Sequence, residues 1–200
     1  IFFKGILHLY LMKTNIISPT LNSKLIYLDR IKKNLPVFNG GLGENPLPTP
    51  KFLIETIKKN VTKKEYTNIE GKDNFRDAIF SLYPNMKKLI VGNGLKELIF
   101  NLTFNWKNKI FIPVPCWVTY LEDMKVLNKE YYKIKCYHEN NFKLTPSILE
   151  KSLHENDGYD SLLFLNSPSN PIGCVYSPDE LKSLINVLKK YNVTVFSDEI

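Results

Sequence analysis

The feature that most limits the possible folds is an alternation, from residue 50 onward, of short apolar runs with segments of helical periodicity. The apolar runs have the length of strands, and they are Lys88–Val91, Ile110–Val114, Tyr131–Cys136, Leu162–Leu165 and Val193–Phe196. Helices are predicted between most of them. This alternation favours the α/β class, with a mostly parallel sheet that is covered by helices on both faces.

The helical segments carry both apolar spacing and end signals. They are Lys51–Asn60, Lys72–Leu82, Glu97–Phe104, a segment opening at Thr145-Pro146, and Pro178–Tyr191. The last is the clearest, because Ser177 suits the N-cap, Pro178 suits the first helical position and Glu180 completes a capping box. Residues 13–50 are polar and become Pro-rich, so they predict an irregular arm. The sequence thus divides into residues 1–50 and a domain over residues 51–200.

The charge pattern argues against a nucleic-acid partner. The formal net charge is +7, but Arg30 and Arg76 are the only arginines, and no run of lysines exceeds a pair. Arginine is the usual two-pronged reader of bases and phosphates, so a solvated basic surface is the better interpretation.

The termini and the cysteines predict a cytoplasmic protein without a membrane partner. Residues 1–12 are apolar but too short to span a bilayer, and they lack a signal-peptide cleavage site. We interpret them as a truncated start or a mispredicted leader, and both ends of the chain as cut. Cys116, Cys136 and Cys174 form no CxxC pair, which favours a reducing compartment and predicts no metal site.

In a parallel sheet, ligands bind beyond the carboxyl ends of the strands, so the residues that follow each apolar run are candidates for a site. Gly92–Lys96 forms a Gly-containing turn that opens a helix, where free backbone N–H groups favour a phosphate. A tight turn without a ligand is the alternative. Trp117 follows the next run, and it could stack on a planar ring or simply belong to the core.

Two further runs end in polar residues. Asn166–Gly173 contains more Asn and Pro than a connecting turn requires, and an Asn amide there could donate to a ring hydroxyl. Asp198 follows a run predicted to be a central buried strand, where a carboxylate is unfavourable unless it is paired. A protonated pyridine nitrogen would pair with it. Together the four features match the parts of pyridoxal phosphate.

Longer motifs around these positions carry a family resemblance. The segments Leu165–Gly173 and Phe196–Ile200, separated by a helix, resemble class I aminotransferases of the aspartate aminotransferase superfamily. Ile172 departs from the usual Asn-Pro-Thr-Gly. Gly43–Pro50 resembles the Gly-Glu-Pro-x-x-x-x-Pro substrate loop, and Pro115–Tyr120 resembles the Pro-x-Trp-Val-Ser-Tyr strand end.

The resemblance implies the large domain of a fold type I enzyme over residues 51–200, with residues 1–50 contributing an arm and the substrate loop of a small domain. It implies that Trp117 stacks on the pyridine ring, that Asn170 bonds the ring oxygen and that Asp198 bonds the ring nitrogen.

The resemblance also implies contacts outside the ring. Gly94, Leu95 and Lys96 would hold the phosphate of the cofactor mainly through backbone N–H groups. Tyr66 would reach the phosphate bound by a partner subunit, which implies a homodimer, and Gly43 would line the site of the substrate carboxylate.

Some residues of the family are expected beyond Ile200, above all the lysine that forms the Schiff base. We therefore expect the full-length protein to transfer an amino group between an amino acid and a 2-oxo acid, and this chain to be an inactive N-terminal piece without a catalytic residue. Since cofactor contacts do not select the reaction, a carbon–sulfur lyase and an acyl transferase remain alternatives. A catalytically dead fragment that binds pyridoxal phosphate is another.

Overall fold

A computed structural model of the chain describes residues 19–38, 43 and 45–200. The predicted leader at residues 1–12 lies outside the described residues. The described residues fall into two compact units, the first ending at Thr67 and the second running from Asn68 to Ile200. The functional boundary at residue 50 stays a prediction. Within the described part of the chain, no helix is both long and apolar enough to cross a membrane.

Among its described residues, the first unit contains two helices, α1 (Pro19–Lys32) and α2 (Lys51–Asn60). The prediction for α2 is confirmed, with Pro50 at the N-cap position. The prediction of an irregular arm over residues 13–50 is wrong where α1 forms. Leu21, Leu25 and Leu28 recur at helical spacing along α1, a pattern that the polar composition of the segment conceals.

The second unit contains five α-helices, a short 3-10 helix (His138–Asn140) and a four-stranded sheet. The helices are α3 (Asp73–Leu82), α4 (Leu95–Asn105), α5 (Val118–Val126), α6 (Pro146–Glu155) and α7 (Pro178–Lys190). The strands are β1 (Ile110–Val114), β2 (Tyr131–Lys135), β3 (Leu162–Asn166) and β4 (Thr194–Asp198). Every pairing is parallel and the strand order is β2-β1-β3-β4. The predicted α/β class is confirmed.

Side-chain caps fix the starts of α6 and α7, as the sequence predicts. Ser177 Oγ accepts a hydrogen bond from the backbone N–H of Glu180 at 3.2 Å, and Glu180 Oε2 accepts one from the backbone N–H of Ser177 at 2.7 Å. Thr145 Oγ1 accepts from the backbone N–H of Ile148 at 3.4 Å. These bonds satisfy N–H groups that have no partner within the helix.

Helices cover both faces of the sheet because successive strand residues point to opposite sides. One apolar cluster joins alternate strand residues to α6 and α7, and it includes Phe111, Leu163, Leu165, Leu149, Leu153 and Leu184. The other joins the intervening strand residues to α4 and α5, and it includes Ile110, Ile112, Leu162, Phe164, Ile99 and Met124. The core therefore lies in two layers that sandwich the strands.

Two strand predictions are wrong. Lys88–Val91 lies in a loop, and Ile90 is largely exposed. A short apolar run becomes a strand only where another strand pairs with it, and no ladder partner for this run occurs in the described sheet. The strand before Asp198 was predicted to be central and buried. In the described sheet β4 lies at the edge, and Val195 is partly exposed.

Candidate functional site

The carboxyl ends of the strands bring distant polar residues together. Asn166, the last residue of β3, pairs in register with Asp198, the last residue of β4. Beyond these ends lies a cavity of about 240 Å³. Its lining combines aromatic, amide, carboxylate and aliphatic side chains, from Trp117, Tyr120, Asn166, Pro168, Asn170, Asp198 and Ile200. The structure thus gathers Trp117, Asn170 and Asp198, which the sequence predicts to act on one ligand.

Asp198 is the buried carboxylate of the cavity. It is 5% exposed, and its Oδ2 accepts a hydrogen bond from the Tyr120 hydroxyl. Its Oδ1 is buried and has no hydrogen-bond partner within the described chain. A buried oxygen without a donor costs about 1–3 kcal/mol or more when it is charged. The second oxygen is therefore suited to a cationic N–H donor from a ligand.

Tyr120 keeps its proton at this site. Burial raises the pKa of Tyr120, and the hydrogen bond to the Asp198 carboxylate raises it further. The phenol is therefore neutral at physiological pH, and its hydroxyl remains a donor to Asp198. The residue is 1% exposed and belongs to the core face that α5 covers.

The turn after β3 is tied to β4 by its own polar groups. Asn166 Nδ2 donates to the backbone carbonyl of Asp198 at 3.0 Å, and the backbone N–H of Ser167 donates to the same carbonyl at 3.0 Å. Asn166 Oδ1 accepts from the backbone N–H of Asn170 at 2.6 Å. The side chain of Asn170 is exposed and lines the cavity, so its amide is available to a ligand.

Trp117 precedes α5 and occupies its N-cap position. Its ring meets the ring of Tyr120 edge-on, with centroids 5.6 Å apart and an interplanar angle of 87°. Tyr120 in turn packs on Phe164, with centroids 5.0 Å apart. Because the contact with Tyr120 is edge-on and Trp117 is only partly buried, the indole is free to stack on a planar group.

Gly94, Leu95 and Lys96 lie at the start of α4 and are not among the residues that line the cavity. The helix begins at Leu95, two residues before the predicted start, so Leu95 and Lys96 form part of its first turn. Gly94 has φ 150°, a region that favours glycine, and no atom lies within 4 Å of where its Cβ would be. No side chain caps this helix at Gly94, so the first N–H groups are available.

Lys96, in the first turn of α4, influences a buried acid of α5. Burial raises the pKa of the Asp123 carboxyl, and the positive charge of Lys96 partly offsets that effect. Asp123 Oδ2 is buried without a hydrogen-bond partner within the described chain. Lys96 thus acts electrostatically on Asp123, a relation that the sequence does not reveal.

Two predicted residues belong to the first unit. Tyr66 is fully exposed, and Gly43 is exposed, with no atom within 4 Å of where its Cβ would be. Their predicted roles toward a partner subunit and a substrate stay predictions.

Cys116 and Cys136 are not activated nucleophiles. Burial raises the pKa of both Cys116 and Cys136 to about 11, with Lys133 lowering that of Cys116 slightly. Both therefore remain thiols, which are weak nucleophiles. Among the described residues, no group of three or more His, Cys, Asp or Glu side chains is arranged to hold a metal ion.

Sequence reasoning missed two residues of the cavity, Tyr120 and Asn166. Both stand inside quoted motifs but received no role. Tyr120 lies three residues after Trp117, a spacing that puts both on one side of a helix start. Asn166 is a polar residue directly after an apolar run, and Asp198 likewise lies just beyond the end of one.

Comparison with known proteins identifies a family. The profile of the family described as "Aminotransferase class I and II" matches residues 36–200. The chain is 34% identical to a "Probable aspartate/prephenate aminotransferase" of Rickettsia felis, over 92% of this chain and 47% of that protein. It is 31% identical to an "Asparagine--oxo-acid transaminase" of Streptococcus mutans, over 80% of this chain and 43% of that protein.

The fold is similar to a solved structure. The aspartate aminotransferase of Rhizobium meliloti superposes with a TM-score of 0.77 at 23% identity, covering 92% of this chain and 49% of that one. The chain spans about half the length of the relatives it matches. The family profile covers most of the chain. The chain belongs to the family of class I and II aminotransferases.

Proposed function

We propose that the full-length protein is a pyridoxal-phosphate-dependent aminotransferase that transfers an amino group between an amino acid and a 2-oxo acid. The observation that carries this proposal is the buried, unpartnered Oδ1 of Asp198 at a cavity that Trp117 and Asn170 also line. Family membership supports the reaction class, as do relatives named aminotransferase or transaminase.

The residues of the cavity fit the ring of this cofactor. Asp198 Oδ1 would accept from the protonated pyridine nitrogen, which supplies the missing donor. Trp117 would stack on the ring, and the exposed amide of Asn170 would donate to the ring oxygen. When bound, pyridoxal phosphate supplies an electron sink that stabilises negative charge on the substrate carbon. Asp198 contributes by holding the proton on the ring nitrogen.

The remaining contacts are proposed from the resemblance and from local geometry. The free N–H groups of Gly94, Leu95 and Lys96 at the start of α4 would bind the phosphate, since a helix N-terminus favours an anion. Tyr66 would serve the phosphate bound by a partner subunit, which makes the full-length protein a homodimer. Gly43 would line the site of the substrate carboxylate.

We also propose that this chain binds the cofactor without turning it over. None of the residues that line the described cavity is a lysine, and a lysine is the group that would both attach the cofactor and move the proton. The protein is proposed to work in the cytoplasm. Its three free thiols support a reducing compartment.

The proposal is tested by titrating the chain with pyridoxamine 5'-phosphate, which needs no covalent attachment, and following the quenching of tryptophan fluorescence. We expect Asp198→Ala to weaken binding by about tenfold or more, because a hydrogen bond between charged groups contributes about 1.5–3 kcal/mol. Asp179→Ala is the matched control, because the Asp179 side chain is 92% exposed. Equal affinity of the wild type and Asp198→Ala would refute the assignment of the ring nitrogen to Asp198.

A second measurement tests whether any lysine of this chain forms a specific Schiff base with the cofactor. The chain is treated with pyridoxal phosphate and borohydride, and its peptides are mapped by mass spectrometry. We expect scattered, substoichiometric labelling of lysines. One stoichiometric pyridoxyl-lysine, together with amino-group transfer by this chain, would show that the 200 residues are sufficient for catalysis.

A further inference from the structure

The two carboxylate oxygens of Asp198 have unequal surroundings. Oδ2 accepts from the hydroxyl of Tyr120, whereas Oδ1 has no partner. The two residues lie 78 positions apart in the sequence, so it is the tertiary structure that brings them together. The polar bonds of Asn166 and Ser167 reach only the backbone carbonyl of Asp198. Tyr120 is therefore the side chain that fixes the carboxylate group itself.

The ring of Tyr120 is held in one orientation. Trp117 contacts it edge-on, and Phe164 packs against it at 5.0 Å between centroids. Phe196 packs on Phe164 in turn, at 5.1 Å. A buried phenol ring packed between other aromatic rings has few accessible rotamers, so its hydroxyl donates in a fixed direction. The hydrogen bond to Oδ2 therefore also fixes the orientation of the Asp198 carboxylate.

We propose that Tyr120 is a positioning residue, which turns Asp198 so that Oδ1 alone faces the ligand. This inference rests on the proposed function, because it assumes that a protonated pyridine nitrogen is the partner of Oδ1. A hydrogen bond that involves a charged group is short and directional, so the bond from Tyr120 to Oδ2 fixes where Oδ1 points.

The consequence concerns the location of one proton. A pyridine nitrogen keeps its proton more readily when a carboxylate oxygen is held in place to accept a hydrogen bond from it. By fixing the direction of Oδ1, the Tyr120 hydroxyl keeps that acceptor in place. Without that hydroxyl, the buried carboxylate loses its only side-chain donor among the described residues, Oδ1 is no longer held toward the ligand, and the ring nitrogen holds its proton less firmly.

The test is ¹⁵N NMR of pyridoxamine 5'-phosphate labelled at the ring nitrogen and bound to the chain at neutral pH, since the shift of that nitrogen reports its protonation. We expect wild type to give the protonated shift and Asp198→Asn to give the unprotonated reference. Tyr120→Phe keeps the packed ring, and we expect its shift to move toward the Asp198→Asn reference. Should Tyr120→Phe not fold, 4-fluorophenylalanine at position 120 keeps the ring and fills part of the space of the hydroxyl without a donor, and we expect the same movement of the shift toward the Asp198→Asn reference.

The control is Tyr176→Phe. Tyr176 is also buried, and its hydroxyl accepts from the backbone N–H of Leu144 at 2.6 Å rather than bonding Asp198. We expect it to lower stability while leaving the nitrogen shift at the wild-type value. A Tyr120→Phe shift equal to that of Tyr176→Phe would overturn the inference and leave Tyr120 with a packing role. No bound signal from the wild type would instead refute the proposed function itself, and this inference with it.

Discussion

Two threonines with opposite surroundings predict opposite effects of one substitution. Thr103 lies in α4, is 0% exposed, and its Oγ1 has no hydrogen-bond partner within the described chain. A buried hydroxyl without a partner costs about 1–3 kcal/mol. Valine has nearly the same shape and the same β-branched rotamer preference, so it fills the space without the polar atom. We expect Thr103→Val to raise the free energy of unfolding by about 1 kcal/mol.

The matched substitution is Thr145→Val at the start of α6. The Thr145 hydroxyl accepts from the backbone N–H of Ile148 and lies 3.1 Å from the hydroxyl of Ser147. Loss of an N-cap costs about 1 kcal/mol. The same chemical change should therefore lower the free energy of unfolding here, so the two variants should differ by about 2 kcal/mol in total.

Urea unfolding followed by circular dichroism measures both variants. The midpoints should move to higher urea for Thr103→Val and to lower urea for Thr145→Val, with unchanged slopes. Destabilisation by Thr103→Val would refute the reasoning. It would mean that the Thr103 hydroxyl has a partner, such as a buried water, that stabilises α4.

Two other predictions concern the same unit. Since burial raises the pKa of Asp123 above its usual 3.8, the folded state binds this proton more tightly than the unfolded state, and stability falls as pH rises from 3.8 through the raised value. Asp123→Asn should therefore stabilise the protein at neutral pH and much less at acidic pH, as measured by unfolding at both. Gly158→Ala should lower the free energy of unfolding by about 2 kcal/mol, because a Cβ there would lie 2.5 Å from Leu153 Cδ2 and 3.0 Å from its Cα. Thermal unfolding measures it.

Each of these has a clear contrary result. An equal gain from Asp123→Asn at both pH values would show that the charge of Asp123 is not what destabilises the fold. An unchanged unfolding temperature for Gly158→Ala would show that Leu153 moves aside, although one of the close atoms belongs to its backbone.

The sequence predicts the local structure well where neighbours along the chain decide it. The start of α7 follows from Ser177 and Glu180, which bond each other three residues apart. The sequence also predicts β1 and β3, because each is a continuous apolar run of strand length. Local patterns misled over Lys88–Val91, because a strand also needs a partner strand that no local pattern specifies.

For the candidate site, the sequence by itself determined which residues follow the strands, and so brought Trp117, Asn170 and Asp198 into one prediction. Parallel strands have all their carboxyl ends at one edge, which makes that inference possible from order alone. Only the tertiary structure decided which oxygen of Asp198 is free and that Tyr120 holds the other. The hydrogen bond between Tyr120 and Asp198 depends on how α5 packs against β3 and β4. The spacing of residues along the sequence does not determine how such distant segments pack.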